Sequence, residues 1–232
     1  ATVAFAKEWR DDAARRDFTI NALYAQPETL EISDWFGGLE DLAAGRVRFI
    51  GDAGERIRED HLRILRYFRF QARFGADADP GAETACRDLA HTLKGLSRER
   101  VAMELLALLA LPDPGPTVDR MAQLGVLEVI LPEAGKGGLA ALRALVAAEA
   151  AASVEANALR RLAALLPPSP PVAETVAARL RLSKAQRGRL IAAAERTAND
   201  AANPRALAYA GGVESAVDRL LLNGKMLTGR DA

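Results

Sequence analysis

Arg10-Asp11-Asp12-Ala13-Ala14-Arg15-Arg16-Asp17-Phe18-Thr19-Ile20-Asn21-Ala22-Leu23-Tyr24 places two adjacent arginines, an acid and an amide ahead of an apolar run. Phe18, Ile20, Ala22 and Tyr24 fall at period two, which predicts a strand over 17–26. Arg15 and Arg16 are a forked cation pair suited to phosphate oxygens, and Asp17 is an acceptor suited to a sugar hydroxyl. Asn21 both donates and accepts, which suits a ribose or a phosphate edge. A surface helix has no packing reason for this order, whereas a nucleotide site does. Asp11 and Asp12 read as the start of a helix or turn rather than as metal ligands.

Outward from this stretch, 30–34 and 46–50 read as two further short strands, with Gln26-Pro27-Glu28-Thr29 as a hairpin turn. Phe36 to Leu42 makes a loop and a short helical turn, and Gly51-Asp52 closes the β-structure. From there the pattern is helical. A long helix is expected over 55–74, with Ile57, Leu62, Leu65, Phe68 and Ala72 on one face and Gly75 at its end. Further helices are expected at about 81–93, 97–110, 115–124, 136–150, 154–166, 172–180, 183–197 and 203–221. Pro112-Asp113-Pro114-Gly115-Pro116 and Pro167-Pro168-Ser169-Pro170-Pro171 are breaks, the second a stiff polyproline-like joint. No self-similar repeat at a fixed period is present, which argues against a solenoid.

The composition agrees with a mostly helical globular chain: 232 residues, half of them hydrophobic and only 5% aromatic. The 31 basic and 31 acidic residues cancel, so any nucleic-acid contact must come from local arginine clusters. The single cysteine, Cys86, rules out an intrachain disulfide framework and a cysteine-rich zinc site, and it fits a reducing cytoplasm. No apolar run reaches membrane length, and the alanine-rich segment 139–152 is interrupted by Arg143 and Glu149, which mark it as a helix in water. The chain opens at Ala1 shortly before motif-like sequence and stops at Gly229-Arg230-Asp231-Ala232 in mid-pattern, the ends expected of a piece of a longer protein.

A second constellation is Arg56-Ile57-Arg58-Glu59-Asp60-His61-Leu62-Arg63-Ile64-Leu65-Arg66. On a helix Glu59 and Arg63 lie four apart and Asp60 and Arg63 three apart, so their heads can meet. An aspartate beside an arginine is a planar set of acceptors and donors that imitates the hydrogen-bonding edge of a base. The plain alternative is an ordinary helix salt bridge.

These residues carry a resemblance. Arg15-Arg16-Asp17 resembles motif B of the tRNA nucleotidyltransferase (CCA-adding enzyme) and bacterial poly(A) polymerase family. Glu59-Asp60-x-x-Arg63 resembles motif D, the nucleotide-selecting element of its bacterial-type (class II) members. Between them, Asp34-Trp35-Phe36-Gly37-Gly38-Leu39-Glu40-Asp41-Leu42 through Val47-Arg48-Phe49-Ile50-Gly51 is similar to motif C, and Arg98 to Leu105 is similar to motif E. The four stand in family order over about residues 5–110, and Met121 to Glu133 extends the likeness into a body-like segment.

The resemblance implies a mostly α fold with a small α+β part. A truncated nucleotidyltransferase palm with few antiparallel strands (1–52) would lead into a helical neck (53–111), body (112–166) and tail (167–232). It implies that Arg15, Arg16, Asp17 and Asn21 contact the ribose and triphosphate of the incoming nucleotide. Asp60 and Arg63 would read its base edge, with Glu59 holding Arg63. Of the arginine row Arg63, Arg66, Arg69 and Arg73, it implies that Arg66 serves the nucleotide and that Arg66 and Arg69 line the cleft near the RNA acceptor end. Arg100 and Glu104 would be structural. The implied activity is template-independent addition of C and A from CTP and ATP to tRNA 3′ ends with Mg2+ in the cytoplasm. A poly(A) polymerase, or a helical RNA-binding protein that has lost the chemistry, is the alternative.

One departure bounds this. The family's Asp-x-Asp metal pair, which would stand before motif B, is absent, so no catalytic or metal-ligating residue is assigned and the Mg2+ ligands are expected upstream. Asp77-Ala78-Asp79 has the letters but follows the long helix in a loop beside Pro80. His61 and His91 lack ligand spacing to another histidine or cysteine. The basic run Arg179, Arg181, Lys184, Arg187 and Arg189 reads as a charged helix start rather than an RNA contact. Oligomeric state is left open.

Overall fold

The computed structural model describes residues 8–224, so both chain ends on which the fragment reading rests lie outside the described residues. The chain forms two compact units, Ala1–Leu93 and Lys94–Ala232.

The first unit opens with α1 (Trp9–Arg15), whose first turn carries Asp11 and Asp12. A two-residue hairpin follows, β1 (Tyr24–Ala25) against β2 (Ile32–Ser33), antiparallel with Tyr24 opposite Ser33. Then come α2 (Gly38–Ala43), α3 (Ala53–Glu59), α4 (Arg63–Phe74) and α5 (Pro80–Leu89). Asp79 starts α5 by accepting the Gly81 and Ala82 amides at 2.8 and 3.2 Å, with Pro80 in the first turn, so the Asp-Ala-Asp run is helix-capping structure. The core is aromatic: Phe18 lies 4.8 Å from Phe49 and 5.0 Å from Phe70, and Phe49 stacks on Tyr67 at 5.8 Å.

The β-structure is shorter than the alternation predicts. Residues 17–26 hold a 3-10 turn at Thr19–Asn21 ahead of β1, and 46–50 meets its partners in single bridges, Phe18 with Phe49 and Arg46 with Asp77. The cause is local. The Asn21 side chain accepts the Phe18 amide at 3.3 Å and donates to Asp17 at 2.5 Å, closing the backbone into a turn where a ladder would otherwise form.

The expected helix over 55–74 is two helices. Asp60, with φ −150° and ψ 104°, leaves α3, and its carboxylate accepts the Leu62 amide at 3.1 Å to launch α4. The Arg56 carbonyl at the end of α3 takes a 2.7 Å hydrogen bond from Arg63 Nη1.

The second unit is all helical among the described residues: α6 (Arg98–Leu109), α7 (Gly115–Gln123), α8 (Val126–Ile130), α9 (Lys136–Ala151), α10 (Ala158–Leu165), α11 (Pro170–Arg179), α12 (Lys184–Ala194), α13 (Pro204–Gly211) and α14 (Val213–Leu222). The sequence pattern misses α8. The expected helix over 203–221 is split at Gly212, whose φ of 84° suits glycine and ends α13. Pro170 and Pro171 form the first turn of α11, so the polyproline stretch ends as a helix start.

Helix α10 packs against α6, α9, α12 and α14 and is buried from Arg160 to Leu165. Glu149 departs most from expectation. It is 2% exposed and pairs with Arg160 at 2.7 Å and Arg161 at 2.8 Å. Asp218, fully buried, pairs with Arg160 at 2.7 Å and with Arg189 at 2.7 Å. Arg161 also donates to the carbonyls of Leu109 (2.8 Å) and Pro112 (3.2 Å). Alanines around Glu149 let neighbouring helices close over it, so it is an internal anion and not a solvent-facing one.

Candidate functional site

The site grows from one packing decision. Phe18 enters the aromatic core and draws the adjacent Asp17 in with it, to 5% exposure. A carboxylate that deep needs partners, and it has three: Arg66 Nε on α4, Asn21 Nδ2 at 2.5 Å and the Phe18 amide at 3.1 Å. Burial pushes its pKa up, but the Arg66 guanidinium and the Asn21 bond outweigh that and hold it below the usual carboxylate range.

Asp17 thus ties the first motif to α4, and Arg56 ties it to α3. Arg56 Nη2 donates to the carbonyls of Arg15 (2.8 Å) and Arg16 (2.6 Å), and its Nη1 donates to Glu59 at 2.5 Å. Glu59 also accepts from Arg63 Nη1 at 2.5 Å. The Arg63 hydrogen bond, then the Arg56 one, keep the Glu59 carboxyl below its ordinary range. The two motifs, some forty residues apart in the chain, therefore share one hydrogen-bonded cluster within a single unit.

Arg15 and Arg16 themselves are exposed. Arg16 is steadied by Asp12 at 3.1 Å and lies 5.9 Å over the Tyr24 ring, while the Tyr24 hydroxyl donates to Asp12. That hydroxyl bond, more than Arg16, keeps the Asp12 carboxyl low. Asp60 sits at the joint between α3 and α4, and Arg63 opens α4. Further along α4, Arg66 and Arg69 stack over Phe70 at 5.6 and 5.0 Å.

The motif between them is scaffolding. Asp34 accepts amides from Phe36 (3.2 Å), Gly38 (2.9 Å) and Leu39 (2.9 Å), starting α2. Asp41, 1% exposed, accepts from Thr19 Oγ1 (2.6 Å), Arg46 (3.0 Å) and Arg48 (2.9 Å). A Cβ on Gly38 would lie 2.3 Å from the Thr19 carbonyl oxygen, so this close approach requires glycine.

The basic run near α12 is committed to carboxylates: Arg179 to Glu133, Arg181 to Glu99, Arg187 to Glu174, and Arg189 to Asp218 and Glu214. Glu99 is held down to about 2 by a backbone hydrogen bond and by Arg181 and Ser97. Sequence reasoning gave Arg56, Asp41 and the Arg160–Glu149 network no part. The signal available for Arg56 was its place three residues before Glu59; the others carry no local signature.

Two family models match the chain: the poly A polymerase head domain over residues 1–48, and the probable RNA and SrmB-binding site of polymerase A over residues 78–136. Human mitochondrial CCA tRNA nucleotidyltransferase 1 is 45% identical over 112 residues, covering 47% of this chain and 26% of that protein. Poly(A) polymerase I of Haemophilus influenzae is 40% identical over 121 residues, covering 52% of this chain and 27% of that protein. The Bacillus stearothermophilus CCA-adding enzyme, solved in complex with CTP, superposes with a TM-score of 0.74 at 27% identity, covering 94% of this chain and 55% of that one.

Over these segments the chain is similar to tRNA nucleotidyltransferases and poly(A) polymerases. It spans about 30% of the length of the curated relatives it matches, 30% for the zebrafish mitochondrial enzyme. The Thermotoga maritima CCA-adding enzyme, solved with tRNA, shares the fold (TM-score 0.69, 21% identity, 96% of this chain and 58% of that one). Residues 59–63 lie between the two family-model matches. No described helix is long and apolar enough to cross a membrane.

Proposed function

We propose that this chain forms the nucleotide-holding and base-selecting part of an enzyme that adds C, C and A to tRNA 3′ ends from CTP and ATP. The observation that carries the reading is the single cluster in which Arg56 and Asp17 join the Arg15–Arg16 run to Glu59, Arg63 and Arg66. The exposed forks of Arg15 and Arg16 take triphosphate oxygens, and Asn21 the ribose. A carboxylate has about four acceptor sites, so Asp17, with three filled, has room for a ribose hydroxyl. Cytosine and adenine both present an amino group beside a ring nitrogen acceptor. Asp60 accepts from the first and Arg63, held by Glu59, donates to the second. Guanine and uracil present the reverse order and leave both side chains unpaired. Arg66 and Arg69 face the acceptor end of the RNA, along a palm, neck, body and tail divided near residues 52, 111 and 166.

Among the described residues no cluster of three or more His, Cys, Asp or Glu is placed to hold a metal ion. The described residues therefore do not by themselves form a Mg2+ site. Its carboxylates belong, on this reading, to the part of the enzyme outside this chain. This chain alone, given Mg2+, CTP, ATP and tRNA lacking its CCA end, is expected to incorporate nothing; sustained incorporation contradicts that division of labour.

The Haemophilus relative favours a second reading, a poly(A) polymerase. Sequencing the RNA ends made by the intact enzyme separates them. Ends of -CCA support the first reading and long A tails the second.

A further inference from the structure

We propose that Arg56 is the positioning residue that couples the phosphate-holding arginines to the base-reading pair; this rests on the reading under Proposed function. Helix α1 ends at Arg15, where the last carbonyls have no partner within the helix and carry its negative end. Arg56 Nη2 donates to the Arg15 carbonyl at this end and to the Arg16 carbonyl just beyond it. Its Nη1 holds Glu59, and its own carbonyl accepts from Arg63. One residue thus fixes the main chain from which the Arg15 and Arg16 side chains project, and both ends of the Glu59–Arg63 pair.

Two observations separate this from an ordinary helix ion pair. The carbonyl bonds cross forty residues of sequence, which an i,i+3 pair does not need. Moreover, Arg56 Nε is buried with no hydrogen-bond partner. An unpaired buried N–H is destabilising, so stability alone would not select this placement, and such groups recur where function constrains a site. Lysine cannot replace the arrangement, because its ammonium is a point donor and cannot span the carbonyl pair and Glu59 together as the planar fork does.

Consequently, a disturbance at Arg56 moves both halves of the site. In the intact enzyme, Arg56→Lys and Arg56→Gln are expected to raise the KM for CTP and ATP together by about tenfold to a hundredfold. Misincorporation of UTP and GTP rises in the same variants, more for Gln than for Lys, with the melting transition still cooperative. Unchanged KM and selectivity overturn the proposal. So does a fall in kcat alone that tracks the folded fraction, the mark of a merely structural arginine. If the wild-type enzyme incorporates neither CTP nor ATP, the proposed function fails, and the coupling is then judged by hydrogen exchange on this chain. Arg56→Lys should speed exchange at the amides of both 17–22 and 62–66 while leaving α5 unchanged; acceleration in one segment only, or in neither, overturns the coupling.

Discussion

The chain contains the doublet Arg-Arg at 15–16 and again at 160–161, and the two have opposite fates. Arg15 and Arg16 keep their side chains at the surface, while their main chain is pinned from behind by Arg56. Arg160 and Arg161 are 4% and 2% exposed, and their side chains are spent on Glu149, Asp218 and backbone carbonyls. What decides the outcome is the surroundings. The first doublet ends a seven-residue helix beside a turn, and the second lies within α10, covered by four neighbouring helices. A fixed backbone with side chains at the surface can serve a ligand, whereas donors buried against internal carboxylates serve the fold.

The comparison breaks most visibly at Glu149. Glu149→Ala leaves the buried Arg161 without its carboxylate and Arg160 with Asp218 alone, and should destabilise the second unit by about 3–5 kcal/mol in urea unfolding. A loss under about 1 kcal/mol would show that the network is not the internal brace described.

Next in size is Gly38→Ala. Its Cβ meets the Thr19 carbonyl, so the motif between the two halves of the site must shift, at about 1–3 kcal/mol. Unchanged unfolding would mean that the close approach relaxes freely.

Asp17 sharpens the comparison through pH. Its folded pKa is depressed, so its contribution is fully present above the ordinary carboxylate value and is lost as pH falls through that range and below it. Asp17→Asn should remove about 1.5–3 kcal/mol at neutral pH and flatten the acid limb of the stability profile. An unaltered acid limb would place the titration elsewhere.

The smallest stability effect belongs to Glu59→Gln. Its carboxylate is half exposed, so unfolding should move by less than about 1 kcal/mol. The same change should relax nucleotide selectivity, because Arg63 loses its brace. A large stability loss without a change in selectivity would reassign Glu59 to the fold.

The sequence made the helical second unit legible through its breaks. Ser97 accepts the Arg100 amide and starts α6 where the pattern places a start, and the proline clusters separate helices as expected. The two arginine motifs were legible because their residue order has no packing explanation. What was illegible depends on short-range capping or on long-range closure. Asp60 carries the right spacing for a continuous helix, yet its carboxylate competes for the Leu62 amide and breaks it. Asn21 turns an alternating strand pattern into a 3-10 turn by the same kind of competition. Glu149 reads as a solvent marker in an alanine run, and only the packing of α10 and α14 makes it internal. Arg56 looked like one more charge on a helix until the end of α1 folded against it.

In the proposed function the cluster around Arg56 and Asp17 presents Asp60 and Arg63 to a nucleobase. The most direct measurement is CTP and ATP incorporation against UTP and GTP by the intact enzyme with Asp60→Ala, alongside its unfolding curve. Discrimination is expected to fall by about a hundredfold or more, since the base amino group loses its acceptor, while the protein stays folded. Discrimination equal to that of the unaltered enzyme, in a folded Asp60→Ala variant, would contradict that reading.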